Sequence, residues 1–505
     1  MAIKKKQEST SEAIKDIKTM ISSFHSLMVV ETVEEERVRE LFGKASMELS
    51  IPFYEWSISE GLKCSDLINP LLSLDPAAVI TQIQQVKGEG VFLLKDFVQH
   101  LTYPKIIRDL RELTQKLSRS RSMIVLVAPT IALPLELEHS AIHYTVHMPT
   151  REQLKTVVVN VLNELAAHRG QKPIKINLSP SEGDNLLNAM MGMTMKQARQ
   201  AIAYCLMDDQ VLDASDIPKV MERKAQAIRD GGVLDFYPAE SNAYELGGFE
   251  KLKQYLNQAQ VAYSSEAESL GISPPKGILI VGVPGCGKSL AVKVIAKQWG
   301  MPLLKLDAGK LFDKYMGESE KNFRKAILSA EAMSPTVLWI DEIEKMLSMN
   351  GGNDSEGGVS QRIFGTFLTW LQEKEKPVFV VATANDISGV PPELFRKGRF
   401  DEVFFVDLPD GKERREIFSI HLRLRKQNVE GIDLSALAVA SEGFSGAEIE
   451  QVVTTAVLVG LRKKTVVGTE LVLSQIASTI PLSVSRREEI ASLRALGQKQ
   501  FVSVK

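Results

Sequence analysis

The run Gly282-Val283-Pro284-Gly285-Cys286-Gly287-Lys288-Ser289 fits G-x-x-x-x-G-K-[ST], a loop that holds nucleoside triphosphates. Glycines let the backbone wrap phosphates with no Cβ in the way. Successive N–H groups and the start of the following helix make an anion-binding nest. Lys288 is expected to reach the β- and γ-phosphates and Ser289 to ligate magnesium, with Leu290 completing the nucleotide-binding set. Further on, Val337-Leu338-Trp339-Ile340-Asp341-Glu342 is an apolar run ending in two acids. Acids at the carboxyl edge of a parallel strand stand where ligands bind in open α/β sheets. Asp341 is expected to hold magnesium through water, and Glu342 to act as general base on the attacking water. A third strand, Val378 to Ala384, ends at Asn385, a residue able to orient that water. After it, Arg396 and Arg399 flank Gly398. Arginine stabilises charge on a transferring phosphoryl group and can act across a subunit boundary. Two surface arginines in ion pairs are the alternative.

These groups need elements to place them. Gly277-Ile278-Leu279-Ile280-Val281 reads as a buried parallel strand and Leu290 to Ala296 as a helix, so the glycine loop lies between strand and helix. The chain has 505 residues, room for several domains, and a net charge of −2. That balance gives no support to nucleic-acid or membrane-surface binding. No early apolar stretch resembles a signal peptide, and no run approaches the ~20 apolar residues of a membrane helix. A cytoplasmic protein, or one of a plastid stroma, is expected. Cys64, Cys205 and Cys286 are far apart and match no zinc spacing. A redox role for Cys286 stays open.

Taken together, these motifs resemble the AAA+ ATPases of the AAA-proper branch. Glu245-Leu246-Gly247-Gly248-Phe249 is similar to the segment beside adenine in that family, which brings Gly247 to the nucleotide. His421 is similar to the histidine at the entry to the lid, and Gly443-Phe444-Ser445-Gly446-Ala447-Glu448 to the lid motif, with Gly446 and Ala447 against the nucleotide. Glu448 stands where the family usually has Asp. The resemblance implies an α/β fold: a P-loop AAA+ module, with a parallel sheet flanked by helices and a helical lid. It implies Mg-dependent hydrolysis of ATP to ADP and phosphate. It also implies a homo-oligomeric ring, usually of six, in which Arg396 and Arg399 reach a neighbour's nucleotide. Lys314-Tyr315-Met316-Gly317-Glu318 resembles the pore loop of motors that thread protein, where Tyr315, Met316 and Gly317 would grip a client. Packing of Tyr315 at a subunit contact is the alternative. The implied function is remodelling or threading of an unidentified protein partner. An ATP-switched regulatory or assembly factor without threading competes with it. A nucleic-acid ATPase is a third reading, to which the acidic, glycine-rich loop at 350–358 gives no encouragement.

The first half resembles the second in order. Val30 resembles Val281, Ile51 to Ser57 resembles Met301 to Asp307, and Val91 to Asp96 resembles Val337 to Glu342. Tyr144 to Pro149 resembles Phe404 to Pro409, and Gly192 to Gln197 resembles Gly443 to Glu448. A tandem duplication is expected, with Glu34, Glu35, Glu36 and Arg37 on Gly285 to Lys288, and Lys95 on Asp341. Acids in a phosphate loop repel polyphosphate, and lysine cannot ligate magnesium, so this copy is read as a degenerate AAA-like domain without hydrolysis. Expected boundaries are a mobile tail at 1–20, the degenerate α/β domain at 21–150 and its helical lid at 151–230. A linker at 231–245, the active α/β domain at 246–410, a lid at 411–480 and a helical tail at 481–505 follow. The whole resembles AAA ATPases encoded in cyanobacteria and algal plastid genomes. That resemblance implies a photosynthetic or bacterial host and a link to photosynthesis or carbon acquisition.

Overall fold

The computed structural model describes residues 10–64, 74–168, 174–207, 210–230, 232–237, 245–263, 265–307, 311, 318–346, 357–387, 390–396 and 398–505. The chain divides into two compact units, Met1–Val220 and Met221–Lys505.

The first unit is built on a six-stranded sheet of β1 (Leu27–Glu31), β2 (Phe53–Ser57), β3 (Gly61–Cys64), β4 (Val91–Lys95), β5 (Met123–Ala128) and β6 (Ala141–Tyr144). Its order is β3-β2-β4-β5-β1-β6, parallel except for β3. The strands are near-continuous apolar runs because both faces are covered. Val91 and Leu93 of β4 face one core with Val125 and Val127, while Phe92 and Leu94 face the other with Trp56 and Leu126. The expected mobile tail is helical from Thr10 to Ser22. Ile14, Ile17 and Ile21 recur at helical spacing and bury against that first core, which ties the segment down. Helices Arg151–His168, Pro180–Met190 and Met195–Cys205 follow, with a parallel pair of β7 (Lys175–Asn177) and β8 (Val211–Asp213) among them.

The second unit holds β9 (Leu234–Tyr237), β10 (Gly277–Gly282), β11 (Leu303–Leu306), β12 (Thr336–Ile340), β13 (Val378–Ala384), β14 (Glu402–Val406) and β15 (Val502–Ser503). Their order is β15-β14-β10-β13-β12-β11-β9, with only β9 antiparallel. Ile278, Ile280, Trp339 and Val381 face helices Lys288–Gln298 and Glu250–Val261, while Leu279, Leu338 and Val380 face helices Glu318–Ala332 and Gly357–Glu373. A separate apolar core joins helices Gly411–Leu424, Leu434–Ala440, Gly446–Lys463 and Thr469–Ala477 into the lid. Among the described residues, no helix is long and apolar enough to cross a membrane.

The central strands of the two sheets follow one order, β2-β4-β5-β1-β6 and β11-β12-β13-β10-β14. Phe53 pairs with Val91 as Leu303 pairs with Val337, so the registers agree as well.

Three boundaries differ from the sequence reading. Residues 234–237, expected in a linker, form an edge strand, because Leu234 and Phe236 alternate into the core and their backbone pairs with β11. The units divide ahead of residue 230, since Met221, Ala225 and Ile228 already pack on the second sheet. The tail 481–505 is helical only from Leu482 to Ser485 and Arg487 to Gln500; it then adds β15 beside β14. Gly497 lets that helix lie on the Phe405 ring, which a Cβ would strike.

Candidate active site

The phosphate-loop residues bridge β10 and helix Lys288–Gln298. Gly282 closes the strand where a Cβ would run into the Val406 carbonyl. Gly287, at φ 88°, caps the helix with no side chain to accept a bond, which leaves the first-turn amides to a ligand. Lys288 is 7 % exposed, and its Nζ arches back to the carbonyls of Gly282 (2.7 Å) and Val283 (3.0 Å). Burial lowers its pKa to about 8, against the pull of Glu344, Asp341 and Glu342. Val283 is buried, whereas Ser289 is exposed at the start of the helix with Leu290 half-buried beside it. Burial pushes the Cys286 thiol up to about 12, which disfavours its thiolate form.

The acids stand at the end of β12, as their position in the sequence requires. Asp341 Oδ1 accepts from Thr383 Oγ1 at 2.7 Å, and Oδ2 accepts from Lys305 Nζ at 2.9 Å. Glu342 takes a left-handed backbone, φ 51°, which turns its carboxylate out of the strand line. Asn385 Nδ2 donates to Glu342 Oε1 at 3.2 Å, and Lys345 pairs with the other oxygen. Glu344 accepts from the Asn385 amide at 2.9 Å, while its buried Oε2 finds no partner among the described residues. Burial raises the pKa of Glu344.

The lid closes over the loop. The Ala447 N–H donates to the Gly285 carbonyl at 2.9 Å, and a Cβ at Gly446 would crowd the same oxygen. A Cβ at Gly247 would crowd Glu416 and Ile417 on the first lid helix, and Glu416 accepts from the Gly248 amide at 3.0 Å. His421 lies one turn further on, where burial lowers its pKa. Its Nδ1 is 3.3 Å from Arg425 Nη1 and 3.9 Å from Glu450 Oε1. Glu448 completes a capping box with Ser445 and accepts from the Leu482 amide at 2.6 Å, a reach that aspartate lacks.

Arg396 is exposed; Arg399 donates to the Glu393 carbonyl. Among the described residues, no hydrogen bond or ion pair joins either arginine to Lys288, Asp341 or Glu342. Tyr315, Met316 and Gly317 lie outside the described residues. The backbone donors, ammonium, hydroxyl and carboxylates fit a magnesium-bound nucleoside triphosphate, and the partnerless Glu344 oxygen fits a site completed by solvent or ligand.

Sequence reasoning missed Lys305, Thr383, Glu344 and Glu416. Lys305 carries a signal, as the one charge inside Leu303-Leu304-Lys305-Leu306. Glu416 carries none, because its role comes from docking of the lid.

The first unit departs from the gapless alignment at the loop. There β1 ends at Glu31 and the helix starts at Glu35, while β10 ends at Gly282 and its helix starts at Lys288. The shorter connection cannot wrap phosphates, so Glu34–Arg37 are not one-for-one stand-ins for Gly285–Lys288. Glu34 accepts from the Met195 amide at 2.7 Å and pairs with Arg37 at 3.3 Å. Lys95 pairs with Glu55, which also meets Arg39 at 3.0 Å.

A model of the AAA family, the ATPase family associated with various cellular activities, matches residues 278–408, and one of the AAA+ lid domain matches 431–466. Models of the SpoVK-like AAA ATPase N-terminal domain and second domain match 13–146 and 152–231. The AAA domain-containing protein ycf46 of Pyropia yezoensis is 34 % identical over 95 % of this chain and 96 % of its own. That of Guillardia theta is 35 % identical over 95 % and 94 %. The Cell division cycle protein 48 homolog of Archaeoglobus fulgidus is 30 % identical over 59 % of this chain and 44 % of its own.

Proposed function

The chain belongs to the AAA ATPase family, with the ycf46 proteins as relatives over nearly its whole length, and we propose on that premise that it hydrolyses ATP in a homo-oligomeric ring to remodel or thread a protein partner. The observation that carries this reading is the Glu342 carboxylate, held by Asn385 at 3.2 Å next to Asp341, both acids acting electrostatically on Lys288 of the glycine loop. Glu342 takes the proton of the attacking water, and Asn385 fixes the direction of its lone pairs. Lys288 exchanges its two carbonyl contacts for phosphate oxygens, and the first-turn amides complete the cradle. Magnesium, when bound, would supply positive charge to the phosphates; Ser289 would hold it directly and Asp341 through water. Gly247 and His421 flank the base, and Gly446 and Ala447 carry the state of the loop into the lid. Arg396 and Arg399 act on the nucleotide of the adjoining copy, so an isolated chain is incomplete. A ring of six is the ordinary arrangement for such arginines.

The test is Glu342→Gln in the full chain. Nucleotide binding should persist while phosphate release falls by ~10²–10⁴-fold; turnover at the original rate would refute the assignment. The ATP-switched assembly factor remains the second reading, favoured by the direct Ala447–Gly285 bond between lid and loop. Tyr315→Ala separates the two: threading predicts a larger loss of client remodelling than of hydrolysis, switching predicts equal effects. A client within photosynthesis or carbon acquisition rests on the resemblance to algal plastid proteins alone.

A further inference from the structure

Lys305, Trp339 and Asp341 lie on one face of the second sheet. Strand alternation places Leu303 and Lys305 of β11 beside Val337 and Trp339 of β12 and Asp341 directly after it, and Lys305 is the register partner of Trp339. The ammonium sits 4.3 Å from the Trp339 ring centroid and 2.9 Å from Asp341 Oδ2. Its stem and its charge are therefore both fixed. About a quarter of each side chain is exposed, so water screens the pair only in part. Burial works against the lysine's charge, but Asp341 outweighs it and holds the pKa above the ordinary value. Thr383 takes the other carboxylate oxygen, so the protein alone fixes this carboxylate in place.

The first unit keeps the same pair with its signs exchanged. Glu55 on β2 stands where Lys305 stands on β11, and Lys95 at the end of β4 where Asp341 stands directly after β12. Those two residues also form an ion pair. An acid at this edge is thus neutralised from the neighbouring strand in both copies.

We propose that Lys305 is a positioning residue that offsets the charge of Asp341 and so sets the magnesium concentration at which the site loads nucleotide. This rests on the ATPase reading above. A positive charge 2.9 Å from a carboxylate that would hold a divalent ion, partly screened, weakens binding of that ion by roughly tenfold.

The test is a magnesium titration of the full chain with ADP carrying a ribose fluorophore, a binding readout that needs no turnover. Lys305→Met should lower the half-saturating magnesium concentration about tenfold. Lys305→Arg, which keeps the charge, should stay within about twofold of the unsubstituted chain. Should the methionine variant not fold, Lys305→Gln removes the charge while keeping a donor for Asp341 and should give the same shift. An unmoved or raised midpoint in the neutral variants, or an arginine variant that shifts as far as they do, would overturn the inference alone. Failure of the unsubstituted chain to bind the nucleotide at any magnesium concentration would overturn the ATPase reading and this inference with it.

Discussion

Glu342 at the end of β12 and Asp96 at the end of β4 hold the same left-handed backbone, φ 51° and φ 53°, each directly before a 3-10 turn. A non-glycine residue takes this conformation at a cost, so its presence at both strand ends marks a turn that the two units share. What differs is the surrounding chemistry: Lys95 precedes Asp96, and the first copy's loop is too short for phosphates. Each chain should therefore bind one nucleotide, counted by equilibrium dialysis with a slowly hydrolysed ATP analogue, and Lys288→Ala should bind none. Two nucleotides per chain would assign a working site to the first unit.

Asn385 meets the Glu342 carboxylate through its side chain and Glu344 through its backbone. Replacing it with alanine removes only the first contact. Asn385→Ala should lower kcat by roughly 10- to 100-fold, the range of a lost orienting bond, with nucleotide affinity little changed. A large rise in Kd with kcat intact would make Asn385 a binding residue instead.

If Arg396 and Arg399 act on the nucleotide of an adjoining copy, as proposed above, variants should complement one another. Arg399→Ala keeps an intact loop and Glu342, while Glu342→Gln keeps both arginines. Each variant alone should be nearly inactive, and mixing the two after dissociation of the rings should restore part of the ATPase rate. No recovery in demonstrably mixed rings would show that Arg399 acts within its own chain or not at all.

Lys224 is 3 % exposed and rests 5.1 Å from the Phe236 ring centroid. Burial lowers its pKa from 10.5 to about 7. Between those values the unfolded chain binds the proton that the folded chain has lost. Stability of the second unit should accordingly rise with pH across this window, by up to about 1.4 kcal/mol per pH unit from this group. Lys288 and Lys374, each lowered to about 8 by burial, act in the same direction. Lys224→Met should raise the melting temperature at pH 7 and flatten the rise, as read by calorimetry at several pH values. An unchanged slope would mean that Lys224 keeps its proton when folded.

The Cys286 thiol is 7 % exposed, and Cys64 is half-buried. Alkylation of the native chain at pH 8 should modify Cys64 well before Cys286, as resolved by peptide mass spectrometry. Preferential labelling of Cys286 would favour a redox role.

Much of this was legible before any coordinates. The loop residues are contiguous, so their identity and spacing define the phosphate cradle without help from the rest of the chain. Asp341, Glu342 and Asn385 follow continuous apolar strands, and the end of a buried strand is a position that sequence reveals. Repetition of those strands also exposed the duplicated fold. The strand at 234–237 was hidden because two glycines and Pro238 surround it, and its pairing with β11 is long-range. The tail's last strand was hidden for the same reason.

Tertiary structure alone decided which charges meet. Lys305 and Asp341 lie on different strands, Glu416 reaches Gly248 only because the lid folds back, and Glu55 pairs with Lys95 only through strand register. Local sequence carries the geometry of a turn or a strand end, since those depend on neighbouring residues. It cannot carry a contact whose distance depends on how separate strands and helices are packed, because packing is settled by the whole core at once.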